Sequence, residues 1–273
     1  MAVDPLTALS RSGALLVLSP HPDDAVLSCG ALLGQLPDRS AVTVMTVFTE
    51  AAPPPHTLSA RQFLRQTGAA NAEELYVERR AEDQAVLKQL GVDRFHGGFV
   101  DGLFRRLPAP KRGRRLAARL LPELDHVYPT YRLHLSRGRV SARDAETVRQ
   151  VTETVRELLP RGRGLLLAPL GVGGHADHVL VRTAAERSGL PVVYYSDFPY
   201  NLQAAPDPDF TTGLRATEAS WDRGLDTKAE LIRGYRTQVS ALFPDGVIPR
   251  VPEVYLLPAG VSDGAARPPG GAT

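Results

Sequence analysis

The chain has 273 residues, of which 43% are hydrophobic and 23% are charged, and its 32 basic and 30 acidic residues leave a net charge of +2. This ordinary globular composition excludes a mostly disordered chain, a collagen-like chain and a coiled coil, and the balanced charge gives no reason to expect a nucleic-acid partner. The one cysteine, Cys29, excludes an intramolecular disulfide and a cysteine-rich zinc finger, and it fits a reducing compartment.

Both ends of the chain differ from its middle. Residues 1–12 resemble a loose lead-in, and residues 258–273 are rich in Pro, Gly and Ala, which predicts a disordered tail. The N-terminus lacks a signal-peptide pattern, and no apolar run approaches the roughly 20 residues that cross a bilayer. We therefore expect a soluble cytoplasmic protein with no membrane partner and one domain over residues 13–257.

Within that domain, short apolar strands alternate with helical segments. The strands are rich in Val and Leu, and glycine or proline ends each helix. Continuous apolar strands in this order predict an α/β fold, in which helices cover both faces of a mostly parallel sheet. The predicted strands are 13–18, 41–48, 164–169 and 191–196, and the predicted helices are 22–36, 74–90, 141–159 and 175–188.

Two segments interrupt the alternation, and both are candidates for a substrate-specific rim. Residues 53–69 are predicted to be a loop because they begin with three consecutive prolines. Residues 97–138 contain a basic cluster, which is either a solvated surface or a patch that meets an acidic substrate group or a partner. The cluster comprises Arg105, Arg106, Lys111, Arg112, Arg114, Arg115 and Arg119, with no acid among them.

Histidine and aspartate concentrate in two short motifs, SPHPDD at 19–24 and GVGGHADH at 171–178. Each motif follows a predicted strand, and in an open parallel sheet the carboxyl ends of the strands line the crevice where ligands bind. Motifs about 150 residues apart can therefore meet at one place. Taken singly, each motif could also be purely structural, because an aspartate pair after proline often caps a helix and two glycines often make a turn.

Together the two motifs have the composition of a metal site. Imidazole nitrogens and carboxylate oxygens favour zinc or a similar divalent ion, and a catalytic zinc takes three protein ligands and leaves one position for water. The motifs offer more side chains than that. The surplus could supply the base and the acid that hydrolysis requires.

The sequences HPDD at 21–24 and HADH at 175–178 resemble those of the PIG-L (LmbE-like) zinc-dependent N-acyl deacetylases. That family includes N-acetylglucosaminyl-phosphatidylinositol de-N-acetylases, mycothiol and bacillithiol pathway deacetylases, and deacylases of glycosylated antibiotics. The likeness extends over most of the chain, from about residue 13 to residue 257, with weaker support at 19–33, 79–91, 195–200 and 228–238. It implies a Rossmann-like fold and a hydrolase that removes an N-acetyl group from an amino sugar or a sugar-like natural product.

The resemblance also implies how the first motif would work. His21, Asp24 and His178 would hold one Zn²⁺, with Fe²⁺ or another divalent metal as the alternative. Asp23 would be the general base that takes a proton from the attacking water.

Further roles follow from the same likeness. His175 would stabilise the oxyanion or protonate the leaving amine, and Asp177 would orient His175. Arg79 and Asp101 lie where the family often has residues that contact the sugar.

The chain departs from the family pattern at two places. Ala25 follows the aspartate pair, where many members have Glu, and this leaves the presumed ligands intact. Gly173 and Gly174 occupy a stretch in which some members have a tyrosine that supports the oxyanion. That support would then come from the metal and His175, or from a tyrosine elsewhere in the chain.

Several alternatives remain open at this point. The enzyme could remove a longer N-acyl group, or the chain could be a catalytically silent member that only binds a ligand in the same crevice. The substrate is expected to be a small N-acetylated sugar-like molecule, and the basic segment could also accept a phosphate-bearing or carrier-protein-bound one. The sequence leaves a homo-oligomer open as well.

Overall fold

The computed structural model describes Leu9 and residues 13–108, 120–159 and 164–259. Most of the predicted lead-in, nearly all of the predicted tail and residues 111–119 of the basic cluster lie outside these described residues. Leu9 is 3% exposed and belongs to the larger hydrophobic core. The predicted division of the chain at residues 13 and 258 stays a prediction.

Seven strands form one sheet in the order β3-β2-β1-β4-β5-β7-β6. Strands β1 to β5 are parallel, and β7 is antiparallel to both of its neighbours. The strands are β1 (Leu15–Ser19), β2 (Val42–Glu50), β3 (Asp93–Val100), β4 (Leu165–Pro169), β5 (Val192–Tyr195), β6 (Ala216–Trp221) and β7 (Glu253–Pro258).

Helices pack on both faces of this sheet, which confirms the predicted α/β class. Side chains alternate along β1, so that Leu15 and Val17 join one core and Leu16 and Leu18 join the other. The helices are α1 (Asp24–Gly34), α2 (Leu58–Thr67), α3 (Ala72–Leu90), α4 (Ala145–Leu158), α5 (Ala176–Ser188), α6 (Pro208–Leu214), α7 (Leu225–Ile232) and α8 (Arg236–Leu242). Among the described helices, none is both long and apolar enough to cross a membrane.

The prediction of a loop over residues 53–69 is wrong, because most of that segment forms α2. The Thr57 side chain caps the helix by accepting the N–H of Ala60, and Gly68 ends it in a left-handed conformation. Ala60 and Leu64, four residues apart, form its buried stripe. The helix was not predicted because three prolines precede it and its buried stripe is short.

Strand β3 was not predicted because its residues are mostly exposed or only partly buried. It lies at one edge of the sheet and contains Gly97 and Gly98, so it lacks the apolar run by which β1 and β4 were recognised. Strands β6 and β7 and helices α6 to α8 were missed as well.

Candidate active site

The two motifs meet where the strand order reverses, between the adjacent strands β1 and β4. In the first motif, the Ser19 hydroxyl donates to the carbonyl of His21 and accepts the N–H of Ala25. The Asp24 carboxylate accepts the backbone N–H of His21 at 2.8 Å. These bonds fold the turn between β1 and α1 so that its polar side chains converge.

Three buried side chains from the two motifs form a candidate metal centre. Asp24 Oδ2 lies 3.2 Å from Nδ1 of His21 and 3.4 Å from Nε2 of His178. One ligand atom from each residue lies within 4.8 Å of the other two. The structure therefore brings together the three residues that the sequence resemblance implies as ligands.

The chemistry of these groups fits a divalent cation. His178 is 1% exposed, and within the described residues its Nε2 forms no hydrogen bond. Its Nδ1 bonds to Asp197 Oδ1 at 2.7 Å, an arrangement that directs the lone pair of Nε2 toward Asp24. Burial raises the pKa of the Asp24 carboxyl, but His178 and His21 outweigh burial and hold that pKa well below its usual range.

Asp197 was not predicted as a site residue, although it belongs to the stretch 195–200 that supported the resemblance. Its other carboxylate oxygen accepts the backbone N–H of Val172 at 2.9 Å, which fixes the side chain between β5 and the second motif. No local sequence pattern predicts its contact with His178, because an aspartate after a strand is common in loops.

Asp23 lies beside Asp24 and faces the same cavity. Its φ of 142° is rare for a residue other than glycine, and such backbone strain concentrates at functional sites. Burial and the neighbouring Asp24 carboxylate raise the pKa of Asp23 to about 8, although Arg79, whose Nη2 lies 3.9 Å from Asp23 Oδ1, opposes the rise.

His175 caps α5, and its Nδ1 accepts the backbone N–H of Asp177 at 3.3 Å. Burial and the nearby His21 lower the pKa of His175 to about 3, so its imidazole is neutral at ordinary pH. The hydrogen bond between His175 and Asp177 thus uses the backbone N–H of Asp177, not its carboxylate. The Asp177 carboxylate faces other groups: Gly102 N–H at 2.7 Å, Arg105 Nη2 at 2.5 Å and His21 Nε2 at 3.2 Å.

Arg105 corrects the interpretation of the basic cluster as a surface feature. This residue is 6% exposed and donates to Asp177 and to Asp144, the latter at 2.7 Å. Its guanidinium also lies 4.6 Å from the centre of the Phe48 ring. Burial raises the pKa of a carboxyl, yet Arg105 and His21 outweigh burial and hold the pKa of Asp177 well below its usual range. Arg105 is thus a buried ion-pair partner behind the site.

The two residues expected to contact the sugar both reach the cavity. Asp101 accepts a hydrogen bond from the Tyr76 hydroxyl at 2.5 Å, and its Oδ2 lies 3.5 Å from His21 Nε2. Arg79 is buried, and its Nε forms no hydrogen bond within the described part of the chain. Both side chains therefore stand beside the candidate metal centre.

A cavity of about 710 Å³ lies over these polar residues. Its walls come from three segments that carry no motif: helix α2, the π-helical turn Tyr131–Leu135 and helix α8. The first two segments were predicted only as rims, and the third was not predicted at all. The wall residues from these segments are Ser59, Gln62, Phe63, Gln66, Tyr131, Arg132, Leu133, Leu135, Gln238, Ala241 and Leu242.

Two tyrosines flank the histidines from outside the second motif. The Tyr131 ring lies 6.2 Å from that of His175, and the Tyr200 ring lies 5.8 Å from that of His178. Gly173, with a φ of +83°, leaves room for Tyr200, because a Cβ there would come within 3.3 Å of that tyrosine. A tyrosine is therefore present near the site even though residues 173 and 174 are glycines.

Comparisons with known proteins agree with this geometry. A model of the PIG-L family, described as GlcNAc-PI de-N-acetylase, matches residues 16–188. The chain is 33% identical over 201 residues to 2'-N-acetylparomamine deacetylase of Streptomyces fradiae, which covers 70% of this chain. It is 26% identical to the Niallia circulans protein of the same name, over 84% of this chain and 82% of that protein. The aligned part spans 58% of the length of the Streptomyces relative.

The fold also has solved counterparts. The zinc-inhibited form of teicoplanin deacetylase Orf2 superposes on this chain with a TM-score of 0.70 at 26% sequence identity. The superposition covers 89% of this chain and 97% of the Orf2 chain.

Proposed function

This chain belongs to the PIG-L family, and we propose that it hydrolyses the N-acetyl amide of an amino sugar in a glycosylated natural product, releasing acetate and a free amine. The observation that carries the proposal is the convergence of His21, Asp24 and the unbonded Nε2 of His178 beside the Asp23 carboxyl. The names of two relatives add support, since one is a 2'-N-acetylparomamine deacetylase and the other a teicoplanin deacetylase.

His21, Asp24 and His178 would hold a divalent cation, Zn²⁺ or Fe²⁺. When bound, such a cation polarises the acetyl carbonyl and lowers the pKa of water. Asp197 holds His178 through Nδ1, so that Nε2 stays available as a ligand atom.

Asp23 accepts the proton of the attacking water and passes it to the nitrogen of the leaving amine. Its carboxyl lines the cavity directly beside the ligand Asp24. A raised pKa suits this work, because a general base is most effective when its pKa lies near the working pH.

His175 donates a hydrogen bond to the amide oxygen as that oxygen becomes negative. Because its Nδ1 accepts the N–H of Asp177, the proton of the neutral ring resides on Nε2. A neutral donor already in place stabilises an oxyanion without reorganisation. This geometry favours the oxyanion role for His175 over protonation of the amine.

Arg79 and Asp101 bind the sugar at the floor of the cavity. The unbonded Nε of Arg79 is a buried donor that a sugar hydroxyl could satisfy. Asp101 stays oriented by its bonds from Tyr76 and from the N–H of Leu103, at 2.8 Å.

We expect Asp197→Asn to weaken metal binding by about 10- to 100-fold, the usual cost of losing a partner behind a ligand histidine. The asparagine amide must present one N–H group where a carboxylate oxygen now accepts the N–H of Val172 or His178. Competition with a chelating dye measures the affinity. Asp209→Asn, at an exposed position in α6, is the matched control, and equal affinities in the two variants would contradict the role of Asp197.

The proposed activity is tested by elemental analysis of the purified protein together with a mass-spectrometric screen of N-acetylated amino sugars. The expected result is about one divalent ion per chain and a loss of acetyl that stops after chelation and returns with added metal. Activity that survives complete metal removal would refute the proposal. Cleavage of only long N-acyl chains would refute the assignment to N-acetyl substrates.

A further inference from the structure

Two stretches of the chain, both of which contribute walls to the cavity, differ in charge from the rest. Residues 51–72 and 102–143 contain 13 of the 32 basic residues and only two of the 30 acidic ones, Glu123 and Asp125. The remaining residues are therefore net negative. The nearly neutral total charge conceals a separation of positive from negative charge along the chain.

Helix α2 presents part of this positive charge on an outward stripe. Leu58, Arg61 and Arg65 are spaced three and four residues apart, so they share one side of the helix, and all three are exposed. Ala60 and Leu64 face the core instead, and the residues that line the cavity occupy the remaining side. The stripe therefore combines an apolar side chain with two cations outside the cavity.

Two turns adjoin the start of α2. The Glu123 carboxylate, in the 3₁₀ turn Pro122–Asp125, accepts the N–H of Leu58 at 2.8 Å. The Ser59 hydroxyl accepts the N–H of Tyr131, in the π-helical turn, at 3.2 Å. Six of the ten large apolar side chains that are exposed among the described residues lie in or beside these three segments. They are Leu58, Leu120, Leu121, Leu124, Tyr131 and Leu133.

Further cations accompany these apolar side chains. Arg132 is exposed in the π-helical turn, and Arg106 donates from Nη2 to the carbonyls of Pro53 and Pro55 just before α2. We call this surface the docking face, defined by Leu58, Arg61, Arg65, Leu121, Arg132 and Leu133. Exposed apolar side chains among cations are typical of a surface that binds an anionic membrane interface, because the apolar groups enter the headgroup region while the cations meet lipid phosphates.

The positive charge limits which occupant fits the docking face. A second copy in a twofold contact would set the same arginines against each other, and like charges repel across an interface. Residues 111–119 of this chain carry five cations and no acid, so they would be repelled as well. A nucleic acid would attract the arginines, but single strands stack on aromatic side chains and not on leucines. An anionic lipid surface matches both the charge and the leucines.

We propose that the docking face binds the surface of an anionic lipid bilayer, with its leucines at the level of the headgroups and its arginines beside lipid phosphates. The cavity lies next to this face, because α2 and the π-helical turn contribute to both. Binding at a surface requires no spanning helix. The proposal departs from the expectation of no membrane partner, which rested on the lack of a spanning segment.

Sedimentation of the full-length protein with vesicles tests the proposal. Vesicles of phosphatidylcholine alone are compared with vesicles of phosphatidylcholine mixed with phosphatidylglycerol. We expect binding to the mixed vesicles to be about tenfold tighter or more, since several arginines meet the anionic lipid. This difference should shrink in high salt, which screens the charges. No binding to either vesicle, or equal binding to both, would overturn the proposal.

The double variant Arg61→Gln/Arg65→Gln should weaken binding to the mixed vesicles about 25-fold, because each basic side chain at an anionic surface contributes about fivefold. The control is Lys88→Gln/Arg94→Gln, which removes the same charge from exposed positions at the end of α3 and the start of β3. Those positions lie at the amino ends of the parallel strands, away from the docking face. Equal losses in the two double variants would show a response to total charge alone and would contradict the assigned surface.

Leu58→Ser tests the apolar part of the docking face and should weaken binding about tenfold, the scale for burying much of a leucine side chain. Val77→Ser is the control, since Val77 is also exposed but lies among Glu73, Glu74 and Glu78. If Leu58→Ser binds the vesicles as tightly as wild type, the lipid assignment is overturned. Equally tight binding of polyglutamate by both proteins would then assign the face to an acidic protein instead.

The docking face and the proposed activity are tested separately, because vesicle binding requires no turnover. None of the substituted residues lines the cavity. If the vesicles do not bind, the proposed docking fails and the deacetylase proposal stands. If no N-acetyl compound is cleaved, the proposed function fails and the vesicle measurements still decide the docking.

Discussion

Asp23→Asn is expected to lower the rate of deacetylation by about a hundredfold or more, the range for loss of a general base. Asparagine keeps the shape of the side chain beside Asp24 but cannot accept a proton from the attacking water. Since Asp23 is not one of the three proposed ligands, metal content should stay at the wild-type level. Steady-state kinetics and elemental analysis of the same preparation measure both quantities.

His178→Ala is the informative contrast, because it removes the unbonded Nε2 that faces Asp24. This variant should lose the metal as well as the activity. If the two variants retained equal metal and equal activity, the division between ligand and base would be wrong.

Arg105→Met is expected to reduce the free energy of unfolding by about 3–5 kcal/mol, the cost of breaking a buried ion pair from one side. Methionine fills much of the volume of the arginine but leaves Asp177 and Asp144 buried without their common cation. Urea denaturation monitored by circular dichroism measures the change. We also expect weaker metal binding, because Asp177 contacts the proposed ligand His21 directly.

Arg149→Met is the matched control for Arg105→Met. Arg149 also bonds two carboxylates, those of Glu146 and Glu153, but on the exposed surface of α4, where ion pairs contribute little to stability. Adding Asp144→Asn to Arg105→Met should recover part of the lost stability, because one of the stranded charges disappears. Equal stability of the two single arginine variants would contradict the buried role of Arg105.

Much of the candidate centre could be predicted because its chemistry is carried by short contiguous motifs at strand ends. HPDD and HADH supply every proposed ligand and the proposed base, and the rule that ligands bind at the carboxyl ends of parallel strands predicted that they would meet. The apolar strands β1 and β4 likewise indicated the fold class, since short continuous runs of Val and Leu are typical of strands buried on both faces of a parallel sheet.

The parts that escaped prediction depend on contacts between distant residues. Arg105 belongs by sequence to a run of cations, and its partners Asp144 and Asp177 lie 39 and 72 residues further along the chain. Asp197 acquires its role only when β5 lies next to β4. Helix α2 has a single pair of buried residues and follows three prolines. Its helical pattern is therefore a weaker signal than the prolines, which indicate a loop.

The site floor and the cavity walls come from different parts of the chain. The floor comes from strand ends and from Arg79 of α3, and the walls come from α2, the π-helical turn and α8. Contacts beyond the sugar ring can consequently be altered without changing the residues proposed to cleave the bond. Grafting the wall segments of one such enzyme onto the catalytic frame of another offers a route to new selectivity, and natural sequence drift in these segments would diversify products while the reaction itself is preserved.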